Sequence, residues 1–232
     1  QIVMVEGRTG KVLSRFPITS EKKRDNIWYR ALAFSPDGKR LIVGGFMSKN
    51  VAIYDAETGT VLTQWEFSMP NRAKFSADGS QVMLIGHELR LALFDARTGQ
   101  EIWHAADEYR HGTFLVSGHF FASSRYNFHV LDIATGKIIR EYPRLAAEAS
   151  QIVLAPDGAS VFIGCRDGVV RRMRLDDGEI LFEQRLSGHV AHLHIAVSSD
   201  GRRVVGAASL ANHARRVRVW DADTGMVLQN LM

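Results

Sequence analysis

The chain has 232 residues, 29 Lys plus Arg against 25 Asp plus Glu, and a formal net charge of +4. Apolar residues make up 46% and charged residues 23%, a globular balance that excludes disorder, collagen and a disulfide scaffold. One cysteine, Cys165, cannot form an internal disulfide, and no run reaches the ~18 uncharged apolar residues of a membrane helix.

In chain order, the first segment is IVMVEGRTGKVLSRF at 2–16: an apolar run, an acid, a Thr-Gly turn and a second apolar run. A long charged link, PITSEKKRDN at 17–26, follows it. Next comes a different phrase, ALAFSPDGKRLIVGG at 31–45, and then VAIYDAETGTVLTQW at 51–65, which repeats the first. The two phrases go on alternating. AKFSADGSQVMLIG at 73–86 precedes LALFDARTGQEIW at 91–103, and a degenerate GTFLVSGHFFASS at 112–124 precedes FHVLDIATGKIIREY at 128–142. IVLAPDGASVFIG at 152–164 precedes a weaker copy, VVRRMRLDDGEILF, at 169–182. IAVSSDGRRVVGA at 195–207 precedes VRVWDADTGMVLQNL at 217–231. Both phrases keep one period of about 40 residues, and they stay in phase.

Each period reads as four short strands. The Asp-Gly and Thr-Gly pairs are turn chemistry, with Asp bonding local backbone and Gly accepting a positive φ. The runs between them are short and rich in Val, Ile, Leu and Phe, without a helical period. Four strands per repeat of this length predict an all-β β-propeller of four-stranded antiparallel blades. With strands a to d counted outward, the blades fall at about 28–67, 71–105, 110–143, 149–187 and 190–232. Residues 1–16 match only the c and d strands of another blade. The expectation is a single propeller domain over 1–232, holding five full blades and the outer half of a further one. It would be a segment of a six- or seven-bladed ring, in a longer polypeptide that continues past Met232 with linked blades or domains.

Val217-Arg218-Val219-Trp220-Asp221 resembles the closing motif of WD-repeat (Trp-Asp repeat) propellers, and Ser187-Gly188-His189 resembles that family's Gly-His element. The other copies depart from it. The Trp position holds Val5, Tyr54, Phe94, Leu131 and Met173, and the Asp position holds Glu6 in the first copy and Arg174 in the fifth. The resemblance implies a non-catalytic scaffold that binds a partner protein or peptide, as the sensor or recruitment part of a larger protein. A second resemblance points elsewhere. Asp95 to Trp103, in DARTGQEIW, is similar to the tryptophan-docking repeat of quinoprotein-like propellers, and Tyr54 to Trp65 matches it more loosely. That group includes quinone-dependent dehydrogenases and non-enzymatic envelope assembly factors. A third reading is a lactonase-like hydrolytic propeller with a central metal, for which the sequence supplies no ligand set.

Repeat register assigns the loops to two rims. One rim carries the a–b and c–d turns and is acidic, with Asp37, Asp55, Asp78, Asp95, Asp132, Asp157, Asp200 and Asp221 among its residues. The other, top rim carries Lys22, Lys23, Arg24, Lys49, Arg72, Arg110, Arg125, Tyr126 and Arg166, and the long b–c loop ASLANHARR at 208–216 adds Asn212 and His213. Glu148 and Asp167 stand among the opposing acids there. These residues are the expected contact surface for a partner protein or peptide, an acidic one included, because Tyr, Trp and Arg are enriched at binding hot spots. Tyr109 beside Arg110 is a further candidate for that surface.

No phosphate loop, nucleophile elbow or His-Glu-x-x-His motif is present in the sequence, so no catalytic residue, cofactor or metal is expected. His189, His192 and His194 cluster but read as structural or solvated histidines. Arg171, Arg172 and Arg174 form a basic stripe that carries only a weak case for nucleic acid. Cys165, placed after a b strand, is expected to be partly exposed. A single cysteine without a signal-like segment fits a cytoplasmic location.

Overall fold

The computed structural model describes residues 2–16, 28–46, 49–190, 192–209 and 215–231. They divide into two compact units, Gln1–Glu108 and Tyr109–Met232. Both are built from antiparallel strands. The one short helical element among the described residues is a single 3-10 turn at His87–Leu89.

The first unit opens with a hairpin of β1 (Ile2–Val5) and β2 (Val12–Phe16). Two four-stranded sheets follow. One holds β3 (Trp28–Phe34), β4 (Arg40–Phe46), β5 (Asn50–Asp55) and β6 (Val61–Glu66); the other holds β7 (Arg72–Phe75), β8 (Gln81–Ile85), β9 (Leu91–Asp95) and β10 (Glu101–His104). The second unit has three such sheets. They are β11 (His111–Phe114) with β12 (Phe120–Ser123), β13 (Phe128–Leu131) and β14 (Ile138–Tyr142); β15 (Ala149–Leu154) with β16 (Ser160–Cys165), β17 (Val169–Arg174) and β18 (Ile180–Arg185); and β19 (Leu193–Val197) with β20 (Arg203–Ser209), β21 (Arg215–Asp221) and β22 (Val227–Leu231).

Every four-stranded sheet pairs its strands in chain order, which is the meander of a propeller blade. The fold is therefore the all-β β-propeller expected from the repeats. The blades are named here, in chain order, blade 1 (β3–β6), blade 2 (β7–β10), blade 3 (β11–β14), blade 4 (β15–β18) and blade 5 (β19–β22).

The turn chemistry explains why each meander folds. In blade 2 the Asp95 carboxylate accepts from the Arg97 and Thr98 amides at 3.0 and 2.7 Å and from the Thr98 hydroxyl at 2.8 Å. Gly99 then closes the turn at φ 71°. Asp55, Asp132 and Asp221 hold their turns with the same partners in blades 1, 3 and 5. In the other hairpin the Ser76 hydroxyl donates to Asp78 at 2.6 Å, and the Ser80 amide donates to it at 3.0 Å. These bonds favour the ionised carboxylates and hold them below their usual range, Asp78 at about 2. The acidic rim is thus made of turn-forming carboxylates already in use by the backbone.

Packing between neighbouring blades repeats as well. Trp65, on the last strand of blade 1, lies on Gly99 of blade 2, where an added Cβ would fall 2.8 Å from the indole. Its ring stands 5.5 Å from that of Phe94. The hairpin docks in the same way, with Phe16 joining Leu41, Val43, Ala52 and Tyr54 of blade 1 in one buried cluster.

Candidate partner-binding site

The second unit gathers four of the residues anticipated on the top rim. The β12–β13 loop carries Arg125 and Tyr126, the β14–β15 link carries Arg144 and Glu148, and the β16–β17 loop carries Arg166 and Asp167. Arg110 directly precedes β11. These loops bring the guanidinium of Arg125 to 2.8 Å from the Glu148 carboxylate and that of Arg166 to 3.5 Å from it. The Arg125 hydrogen bond, then the charges of Arg110, Arg166 and Arg125, hold the Glu148 carboxyl below its usual range.

Tyr126 adds an aromatic face. Arg125 lies 5.6 Å and Arg144 5.3 Å from its ring centroid, so two cations share one π surface. Arg125 is 70% exposed while Glu148 is only 12% exposed. The carboxylate is therefore a largely covered anchor, and the exposed surface is guanidinium and phenol. Arg125, Arg144 and Arg166 outnumber the Glu148 carboxylate among them, so the patch keeps a cationic surplus.

A second charged group lies next to this patch. Arg171 on β17 is buried and donates to both oxygens of Asp167, at 3.2 and 2.7 Å, and to Glu183 at 2.7 Å. This chelate fixes the loop that carries Arg166. The basic stripe of the sequence is consequently neutralised from within the protein. Arg171 pairs with Asp167 and Glu183, Arg172 with Asp157 and Asp223, and Arg174 with Asp177 and Glu179.

The remaining anticipated residues fall elsewhere. Lys49 is exposed in the β4–β5 loop of the first unit. Arg72 is not in a loop: it opens β7, because the chain reaches its strand pairing with Ile85 at that residue. Lys22, Lys23, Arg24, Asn212 and His213 lie outside the described residues. Tyr109 is buried rather than presented to a partner, with its hydroxyl 2.8 Å from Nδ1 of His129. Cys165 is also fully buried, because β16 is covered on both faces, and burial pushes its thiol up to about 11. The rings of His192 and His194 are 6.2 Å apart. Among the described residues no three His, Cys, Asp or Glu side chains come together to hold a metal.

Arg144 and Glu148 were missed as members of the site. Glu148 read only as an opposing acid, and nothing in its local sequence shows that two arginines from other loops converge on it.

A protein family described as "Outer membrane protein assembly factor BamB" (PQQ_2) matches residues 1–104 and again 87–231. No curated protein matches the sequence. Among solved structures, the chain is similar to the β-propeller domain of Cps50 (Swd1) from Myceliophteria thermophila. The TM-score is 0.81 at 16% identity, over 99% of this chain and 79% of that one, a likeness of fold.

Proposed function

Because the chain belongs to the PQQ_2 family, that of the outer membrane protein assembly factor BamB, we propose that it is a non-catalytic propeller that binds a partner protein or peptide. The observation that carries this reading is the cluster of Arg125, Tyr126 and Arg166 about the largely covered Glu148. Exposed guanidinium groups held on a carboxylate and an aromatic ring are pre-oriented, which lowers the entropy lost on binding. Their surplus charge selects an acidic segment, read by bidentate hydrogen bonds.

The family description favours one version of this reading over a general WD-repeat scaffold, namely assistance to protein assembly at an outer membrane. That version would put the protein in the cell envelope instead of the cytoplasm expected from its cysteine content. It also favours the assembly branch of the quinoprotein-like group over the dehydrogenase branch.

The test is charge reversal. Arg125→Glu with Arg166→Glu should weaken partner capture by tenfold or more, since a charged hydrogen bond is worth about 1.5–3 kcal/mol. Stability should fall by about 1–3 kcal/mol, because Glu148 loses both partners and gains two like charges, so capture is compared where wild type and double variant are both folded. Capture of the same partners at the same strength by wild type and double variant would remove this patch as the binding site.

A further inference from the structure

On the side of the a–b and c–d turns, blades 3 and 4 leave a cleft of about 500 Å³ between them. This is the volume range of small-molecule sites. Leu115, Val130, Ile139 and Leu175 line it with apolar surface, and His119 and Arg140 line it with polar atoms.

The next blade boundary in the same unit is filled differently. There Trp220 of blade 5 is fully buried against blade 4, in one cluster with Phe162, Val170 and Phe182. Arg172 crosses the same boundary to the Ala222 carbonyl at 3.1 Å and to Asp223 at 2.6 Å. At the boundary of blades 3 and 4 the position of Trp220 is taken by Met173, a smaller side chain. Two blade 3 side chains cross that boundary. The Tyr142 hydroxyl and Arg140 Nη1 both donate to the Leu175 carbonyl at 2.6 Å, and Arg140 also reaches the Asp176 carbonyl.

Two features give the cleft chemical direction. Nδ1 of His119 is buried without a hydrogen-bond partner in the protein, a condition that native structures rarely leave unanswered. Arg140 is held in place by the two carbonyls, so its guanidinium is a fixed cation at an apolar surface. Of the acids nearby, Asp132 is held by Thr135 and Asp177 by Arg174, whereas Asp176 lines the cleft with its carboxylate 3.9 Å from Arg140; its side chain is 90% exposed and can swing into solvent when another carboxylate takes that place.

We propose that this cleft binds an apolar carboxylate. Its hydrocarbon body would lie on Leu115, Val130 and Leu175, and its carboxylate would accept hydrogen bonds from His119 Nδ1 and Arg140. Two sources share that chemistry: a small free acid, and the C-terminal residue of a peptide. The site is separate from the Arg125 patch, and its failure would leave the partner-binding reading untouched.

The experiment is titration of the isotope-labelled protein, followed by amide and histidine NMR, with four probes. They are hexanoate, hexanamide, and the tripeptide Ala-Ala-Leu with a free or an amidated C-terminus. At least one of the two carboxylates should shift the amides of His119, Arg140 and Leu175. Its neutral amide should bind about tenfold more weakly, the weight of a lost charged hydrogen bond. Binding by hexanoate alone identifies a free acid, binding by the free-ended peptide alone identifies a peptide terminus, and binding by both supports the shared chemistry. Arg140→Met and His119→Phe, each checked for an unchanged strand fingerprint, should weaken the same carboxylate, whereas Arg125→Glu should not. The proposal is overturned if neither carboxylate moves these signals, or if the amides bind as well as the acids.

Discussion

Blades 4 and 5 meet around a buried indole, whereas blades 3 and 4 meet around smaller side chains and leave a cleft at their turn side, although both come from the same repeat. At the first, an indole and a guanidinium occupy the space between sheets. At the second, Met173 stands in for the indole in a buried cluster with Phe121, Val130 and Tyr142, and Tyr142 and Arg140 bond across the turn-side edge beside the cleft. The difference teaches that a repeat position can be degenerate without loss of fold. Strand pairing and turns are local to each blade, but the filling between blades depends on side-chain volume at single positions.

The largest expected effect tests the boundary of blades 4 and 5. Trp220→Ala removes the largest fully buried side chain and should cost about 3–5 kcal/mol in urea unfolding. A loss below about 1 kcal/mol would mean that the boundary collapses to fill the void, and the contrast between the two boundaries would disappear. Next, Arg172→Met strips the clamp from Asp157, Asp223 and the Ala222 carbonyl. The acids are half-exposed or more, so the cost should be about 1–3 kcal/mol, below that of a fully buried pair, and should shrink in high salt. At the boundary of blades 3 and 4, Tyr142→Phe deletes one hydrogen bond to the Leu175 carbonyl and should cost about 1 kcal/mol. If it costs as much as Trp220→Ala, the second boundary is as tightly built as the first.

The smallest effect concerns pH and the turns common to all blades. Asp78 has a folded value of about 2, below its unfolded one, because Ser76 and Ser80 hydrogen-bond the carboxylate. A depressed carboxyl contributes stability that is fully present above its unfolded pKa, near 4, and is lost as pH falls towards the folded value. Asp78→Asn should therefore flatten the stability profile between about pH 4 and 2 and leave its slope at neutral pH unchanged. An unaltered acid limb in denaturation curves would show that the turn bonds do not discriminate the ionised form.

Much of this architecture was legible in the residues. Ser76-Ala77-Asp78-Gly79 and Asp95 to Gly99 carry their own hydrogen-bond partners, so the hairpins they close can be read locally. The blade limits follow from that spacing. The candidate site was legible only in part. Arg110, Arg125, Tyr126 and Arg166 could be placed on one rim by register, but Tyr109 could not be distinguished from them, and in the fold it turns inward to His129. The exposure expected of Cys165 failed for a similar reason: a residue at a strand end is covered or bare according to the neighbouring blade.

By itself, then, the sequence determined the period, the strands and the turns, because each rests on contacts between residues close along the chain. Only the tertiary structure decided that Glu148 anchors Arg125 and Arg166, that the basic stripe is neutralised, and that Met173 and Trp220 lead to different boundaries. Those outcomes depend on charges and volumes from separate loops and blades. Convergence of that kind is a property of packing, and no local pattern encodes it.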